Sequence, residues 1–336
     1  MKKSILILLA LFCCCFLSGQ RSLKKIREEV QTIQSKKLVV MVEEPFDDRT
    51  SNLKRKKNPE GWAAYDQSLE SYNAWMKEVV EKYWTLSDKT VLYKTKEQID
   101  EMKKNKDADK YILLYCTHRR PLQTSGGIAL WDRLFVSNLA ANQERNHKAL
   151  YAEIRLSTLE EYGKNSPIHW LELANVFPEK ADLVYGIQAI QRFVDHIRNN
   201  PDMDRKELLL SPLKADKSIL KDKILLFRAD WFDEEFDSTT IANYYPHPYR
   251  IVSPEEFNQL VFEGAAQYAY VMIIPDLTNS SAITSLSYYH LLIDAANGEV
   301  LDVINYFSGK GKSVLGISIS KNNGKYFDQG IADYAQ

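Results

Sequence analysis

Cysteine is nearly absent from the body of this chain. Of its 4 cysteines, three stand together at Cys13, Cys14 and Cys15, and Cys116 is the fourth. A lone thiol cannot close an intramolecular disulfide. A chain of 336 residues is long enough to bury a stabilising core without covalent staples. Histidine is also sparse. The 6 histidines are His118, His147, His169, His196, His247 and His290. No two are three or four residues apart, so no helix presents a paired metal-binding face. No G-x-S-x-G elbow is present, which removes the most direct serine-hydrolase signal. Ser308-Gly-Lys-Gly-Lys-Ser313 resembles the end of a phosphate-binding loop, but Tyr306 stands where the first glycine is required. The following Val314–Ser320 alternates like a strand rather than opening a helix. No cofactor is therefore expected.

A long apolar run is missing everywhere but at the start. Met1-Lys2-Lys3 precedes an apolar stretch from Ile5 to Leu17, and Ser18-Gly19-Gln20 follows. A basic start, a short apolar core and a small-residue exit form the signal-peptide pattern, too short to span a bilayer. Residues 1–19 are read as a signal peptide cleaved after Gly19, and the protein as exported, periplasmic or secreted. A lipid-anchored form is the alternative, raised by Cys13, Cys14 and Cys15. Phe12 is a poor neighbour for an acylated cysteine. Removing Lys2 and Lys3 from the 44 basic residues leaves 42 against 45 acidic ones, a net charge of −3. That balance does not suit a nucleic-acid partner.

What is present is a repeat. Lys37–Asp48 aligns with Lys223–Glu234: each is a short apolar strand that turns acidic. Val91–Ile99 then aligns with Tyr249–Phe257, and Tyr111–Cys116 with Ala269–Ile274. Thr95-x-x-Gln98 and Ser253-x-x-Glu256 are both helix-capping boxes, and Pro254 occupies a first helical position, where a missing N–H costs nothing. Each copy thus reads strand, capped helix, strand. The fold class expected is α/β with mixed sheets: two tandem copies of a strand–helix–strand unit with added antiparallel strands. Residues 20–215 form the first copy, with an N-terminal helix (Leu23–Ile33, capped by Ser22) and a long helical insertion after Asn58. Residues 216–336 form the second, ending in a hairpin and a tail rich in Gly, Ser and Lys.

The inserted helix carries Tyr65, Leu69, Tyr72, Met76, Val79 and Tyr83 at the spacing of a buried face. Further strands are read at Trp131–Leu139, Leu150–Leu156 and Val314–Ser320, and a helix at Glu179–Asn199. Ser287–Asp294 and Glu299–Tyr306 flank Asn297-Gly298, a hairpin-turn signal. Cys116 ends an apolar run and reads as a buried structural thiol.

The candidate site is the pair of acidic strand ends. In open α/β sheets ligands bind beyond the carboxyl ends of strands, and clustered carboxylates suit a hard divalent cation. Glu44 and Asp47 in copy one, with Asp230 and Asp233 in copy two, are the candidate metal ligands; turn and capping roles are the competing reading. No catalytic residue is identified. The expected function is that of an exported, non-catalytic protein that binds a protein partner or serves as an envelope or assembly component. The alternatives are a hydrolase using carboxylates with or without a metal, and a small-ligand binder with its cleft between the copies.

Overall fold

A computed structural model describes residues 22–45, 56, 59–119, 151–164, 167–173, 175, 177–204, 217–232, 241–242, 245–276 and 287–304. The leader, Asn58 and the strands read at Trp131–Leu139 and Val314–Ser320 lie outside these residues. The first copy runs α1 (Leu23–Thr32), β1 (Lys37–Met41), α2 (Pro59–Tyr83), β2 (Asp88–Lys94), α3 (Lys96–Lys104), β3 (Tyr111–Arg119), β4 (Tyr151–Thr158), β5 (His169–Leu173) and α4 (Lys180–Asn199). The second runs β6 (Ile224–Arg228), β7 (Tyr249–Val252), α5 (Pro254–Glu263), β8 (Tyr268–Asp276), β9 (Ser287–Asp294) and β10 (Val300–Ile304).

The duplication extends to strand order. The first sheet is ordered β2-β1-β3-β4-β5 and the second β7-β6-β8-β9-β10. In each, the opening strand lies parallel between the next two, and the remaining strands add antiparallel. The caps are where the residue types place them. Thr95 Oγ1 accepts from the Gln98 N–H and Gln98 Oε1 accepts from the Thr95 N–H, closing a full box. Ser253 Oγ accepts from the Glu256 N–H, and Pro254 occupies the first turn. The Glu256 carboxylate binds Arg250 (2.5 Å). Ser22 caps α1 by accepting from Lys25 N–H.

The structure moves the strand alignment by one residue. With Thr95 and Ser253 equivalent, Val91 matches Tyr249. Leu38 stands beside Val91 and Ile112, whereas Leu225 stands beside Tyr249 and Ala269. Leu38 therefore corresponds to Leu225 rather than Ile224, and Ile112 to Ala269 rather than Tyr270. A one-residue slip exchanges the two faces of a strand, and uniformly apolar strands carry no alternation to prevent it.

The copies share one core. Leu38, Val40, Ile112 and Leu114 of the first sheet cluster with Met76 and Val79 of α2, Leu183, Ile187 and Val194 of α4, and Phe227, Tyr270 and Leu292 of the second sheet. α4 lies between the copies, packing on α1, α2, β4 and β5 on one side and on α5 on the other. The two capped helices differ in placement. Phe257 and Val261 of α5 belong to the shared core, whereas Ile99 of α3 belongs to a separate cluster with Val39, Leu113 and Leu159 on the opposite face of the first sheet. The reason lies in sequence: at the positions of Val261 and Phe262, α3 carries Lys103 and Lys104.

The β9–β10 connection confirms the Asn-Gly signal. Gly298 adopts φ +71°, and an added Cβ would stand 2.6 Å from Gln188 Cβ and 2.7 Å from its Oε1. Both the left-handed backbone and the contact with α4 exclude a side chain here. Gly298→Ala is expected to destabilise the fold by about 1–3 kcal/mol, read as a lower urea midpoint with unchanged slope.

Candidate functional site

The acidic strand ends begin with a backbone clamp. Beyond β1, Asn73 of α2 accepts from Glu43 N–H (3.0 Å) and donates to Glu43 C=O (2.9 Å), fixing the chain's exit from the sheet. Glu44 follows and is exposed. At the matching end of β6, Asp230 accepts two hydrogen bonds from Arg228, Nε to Oδ1 at 2.7 Å and Nη2 to Oδ2 at 2.9 Å. Asp230 thus neutralises a buried guanidinium in the same chain segment. Asp47 and Asp233 lie outside the described residues. Among the described residues, no group of three His, Cys, Asp or Glu side chains is placed to hold a metal ion.

Three groups with nucleophilic or basic chemistry, Cys116, His169 and His290, are tuned away from neutrality. Cys116 is 2 % exposed, and burial pushes its thiol up to about 12. A thiolate is the reactive form, so Cys116 is a structural thiol. Burial drives the imidazoles of His169 and His290 down to about 3. The His169 ring lies flat on Phe193, with centroids 3.7 Å apart. His169 is half-buried, stacked on Phe193 at the margin of the shared core.

In the first sheet, one carboxyl stands in the neutral range. In β4, Ile154 and Leu156 point into the shared core, so alternation sends Glu153 and Arg155 to the opposite face of the sheet. Both are buried there, at 4 % and 7 % exposure. Arg155 Nε donates to Glu153 Oε2 at 2.6 Å. Across the ladder, Arg155 stands opposite Tyr115 on β3 and Trp170 on β5, and Glu153 stands directly opposite Glu172. Two carboxylates therefore flank a single guanidinium. Burial, then the charge of Glu153, lifts the Glu172 carboxyl to about 7, against smaller lowering contributions from hydrogen bonds and Arg155. A carboxylate paired with a guanidinium beside one that holds its proton near neutrality is a combination general acid–base chemistry uses.

The sequence reading missed this strip. Glu153 and Arg155 alternate with Ile154 and Leu156, a pattern that ordinarily marks a solvated strand face. β5, which supplies Glu172, was not anticipated at all: His169-Trp-Leu-Glu-Leu173 is short and mixes polar with apolar residues. Only with β5 placed does the signal emerge, as a cross-strand sum of two acids to one base. Compared with protein-family models, curated proteins and solved structures, the chain matches none.

Proposed function

We propose that this is an exported, non-catalytic protein that binds a protein partner or serves as an assembly component of the envelope, periplasmic or secreted. The observation that carries the reading is the closed state of four reactive groups among the described residues. Cys116, His169 and His290 titrate far from neutrality, and Arg228 is occupied by Glu179 and Asp230. Among the described residues no helix is long and apolar enough to cross a membrane, so in this reading the apolar leader alone directs the chain outward. Two measurements on protein recovered from its native envelope test it. Intact mass should place the N-terminus at or near Gln20 without acyl groups. A mass retaining Cys14 or Cys15 with a lipid makes it a membrane-anchored protein. Sizing under gentle extraction should give a defined complex larger than the purified chain; the same mass for both overturns the partner reading.

A second reading, a carboxylate-based hydrolase, is favoured by Glu172 and Glu153. It predicts turnover of some ester, glycoside or phosphoester in a substrate panel between pH 5 and 8, with an inflection near 7, the value to which Glu172 is raised. Glu172→Gln should then lower kcat by about 100-fold or more, the usual contribution of a general acid or base. Turnover that survives in both Glu172→Gln and Glu153→Gln removes this reading.

A further inference from the structure

The junction of the two copies is electrostatically unbalanced. Arg228, at the end of β6, is 7 % exposed. Its Nη1 and Nη2 bind the two carboxylate oxygens of Glu179, immediately before α4, at 2.8 and 3.0 Å. It also binds Asp230 and lies over the Trp231 ring. Asn258 of α5 ties the same knot, donating to Glu179 Oε2 (2.7 Å) and accepting from Ala181 N–H (2.9 Å). Behind Glu179 stands a third carboxyl, Asp182 of α4, 2 % exposed. Its Oδ2 accepts from Glu179 N–H (2.9 Å) and Asn175 Nδ2 (2.7 Å).

The charge count follows from these contacts. One guanidinium serves Glu179 and Asp230, and Asp182, the most deeply buried of the three acids, has no cation of its own among the described residues. Lys180, next in the helix, is committed to Glu78 (2.5 Å). From the elements packed around Asp182, β3 presents the neutral Cys116 thiol, β8 the neutral Tyr270 phenol, and α5 the uncharged Asn258. Arg228 and Asp230 come from the β6 end, and exposed Glu255 at the start of α5 adds a further negative charge near Arg228. A buried carboxylate in such company is stabilised by protonation, because desolvation and like charge both oppose ionisation.

We propose that Asp182 is a proton-binding site at the junction of the two copies, and that losing its proton as pH rises weakens the contact among α4, β6 and α5. Burial, then the charge of Glu179, lifts the Asp182 carboxyl to about 6, against smaller lowering contributions from the hydrogen bonds of Asn175 and the Glu179 N–H and from Arg228. The folded-state value lies above the ordinary carboxylate value. The stabilisation is therefore fully present below about pH 4 and is lost as pH rises through 6. The shift from 3.8 to about 6 corresponds to roughly a hundredfold fall in the folded-to-unfolded ratio across that window.

Glu172 titrates in the same direction, so the test isolates Asp182 by difference. Urea unfolding of wild type and Asp182→Asn is measured from pH 4 to 7.5. The wild-type ratio should fall by roughly a hundredfold more than that of the variant. Parallel profiles overturn the proposal. If Asp182→Asn does not fold, the wild type alone decides through the ¹³C shift of the Asp182 carboxyl. A midpoint near 6 sustains the proposal, and one below 4 ends it. The coupling to the junction is read from amide protection at Ala181 and Leu183, whose N–H groups donate to Asn258 Oδ1 and Glu179 C=O. Protection corrected for intrinsic exchange should drop as pH passes 6; protection that stays constant leaves Asp182 a proton site without a structural consequence and overturns the second half of the claim.

Discussion

Glu179→Ala is expected to cost the fold about 3 kcal/mol or more, the penalty for breaking a buried ion pair from one side. The substitution leaves Arg228 with Asp230 alone and strips Asn258 of an acceptor. Asp230→Ala removes the other partner of the same guanidinium, yet its effect should stay below about 1 kcal/mol. The difference is exposure: the Glu179 side chain is 25 % accessible and that of Asp230 46 %. Water compensates the second loss more readily than the first. Chemical denaturation of the two single variants and of the double variant checks the ranking. Equal losses would mean that Arg228 is satisfied by either acid, and that the junction does not depend on the bidentate contact.

Phe257→Ala carries the second large effect, about 3–5 kcal/mol. Phe257 is fully buried, edge-on to Trp231 and Tyr270 with ring centroids 5.5 and 6.1 Å away. Its counterpart in copy one is Ile99, also fully buried, for which truncation costs about 2–5 kcal/mol. The informative result is cooperativity. Because the copies are joined through one apolar cluster, either variant should show a single transition, with tryptophan fluorescence and far-UV circular dichroism coinciding. A two-step melt in which Phe257→Ala moves only one step would show that the copies unfold independently, as separate domains at 20–215 and 216–336 would.

The helix ends were legible because capping depends on residue type at fixed spacing. Thr95 with Gln98, Ser253 with Pro254, and Ser22 each stand at a real helix start. The mixed α/β class and the duplication followed from the same markers. Register was not legible. Leu-Val-Val in β1 and Ile-Leu-Leu in β6 have no polar residue to distinguish their faces, so the alignment slipped by one. The shared core was not legible either, although Val261 and Phe262 against Lys103 and Lys104 announced which helix would be covered. At the acidic ends, the expectation for Asp230 was formed without weighing Arg228, two residues earlier, whose guanidinium binds it. Glu172 escaped because its strand did.

The position of α4 between the copies also shapes how the chain acquires its structure. Val30 and Leu301 belong to one cluster, so the core is closed by residues from nearly opposite ends of the described chain. Contacts of such sequence separation form late, because the intervening chain must first be ordered. During synthesis, the surface of α4 that meets α5 emerges well before α5 exists to cover it. At about 5–20 residues per second, the stretch from Asn199 to Glu263 takes several seconds to follow. For that interval the apolar residues of α4 that α5 covers in the folded protein have no partner in the chain yet made.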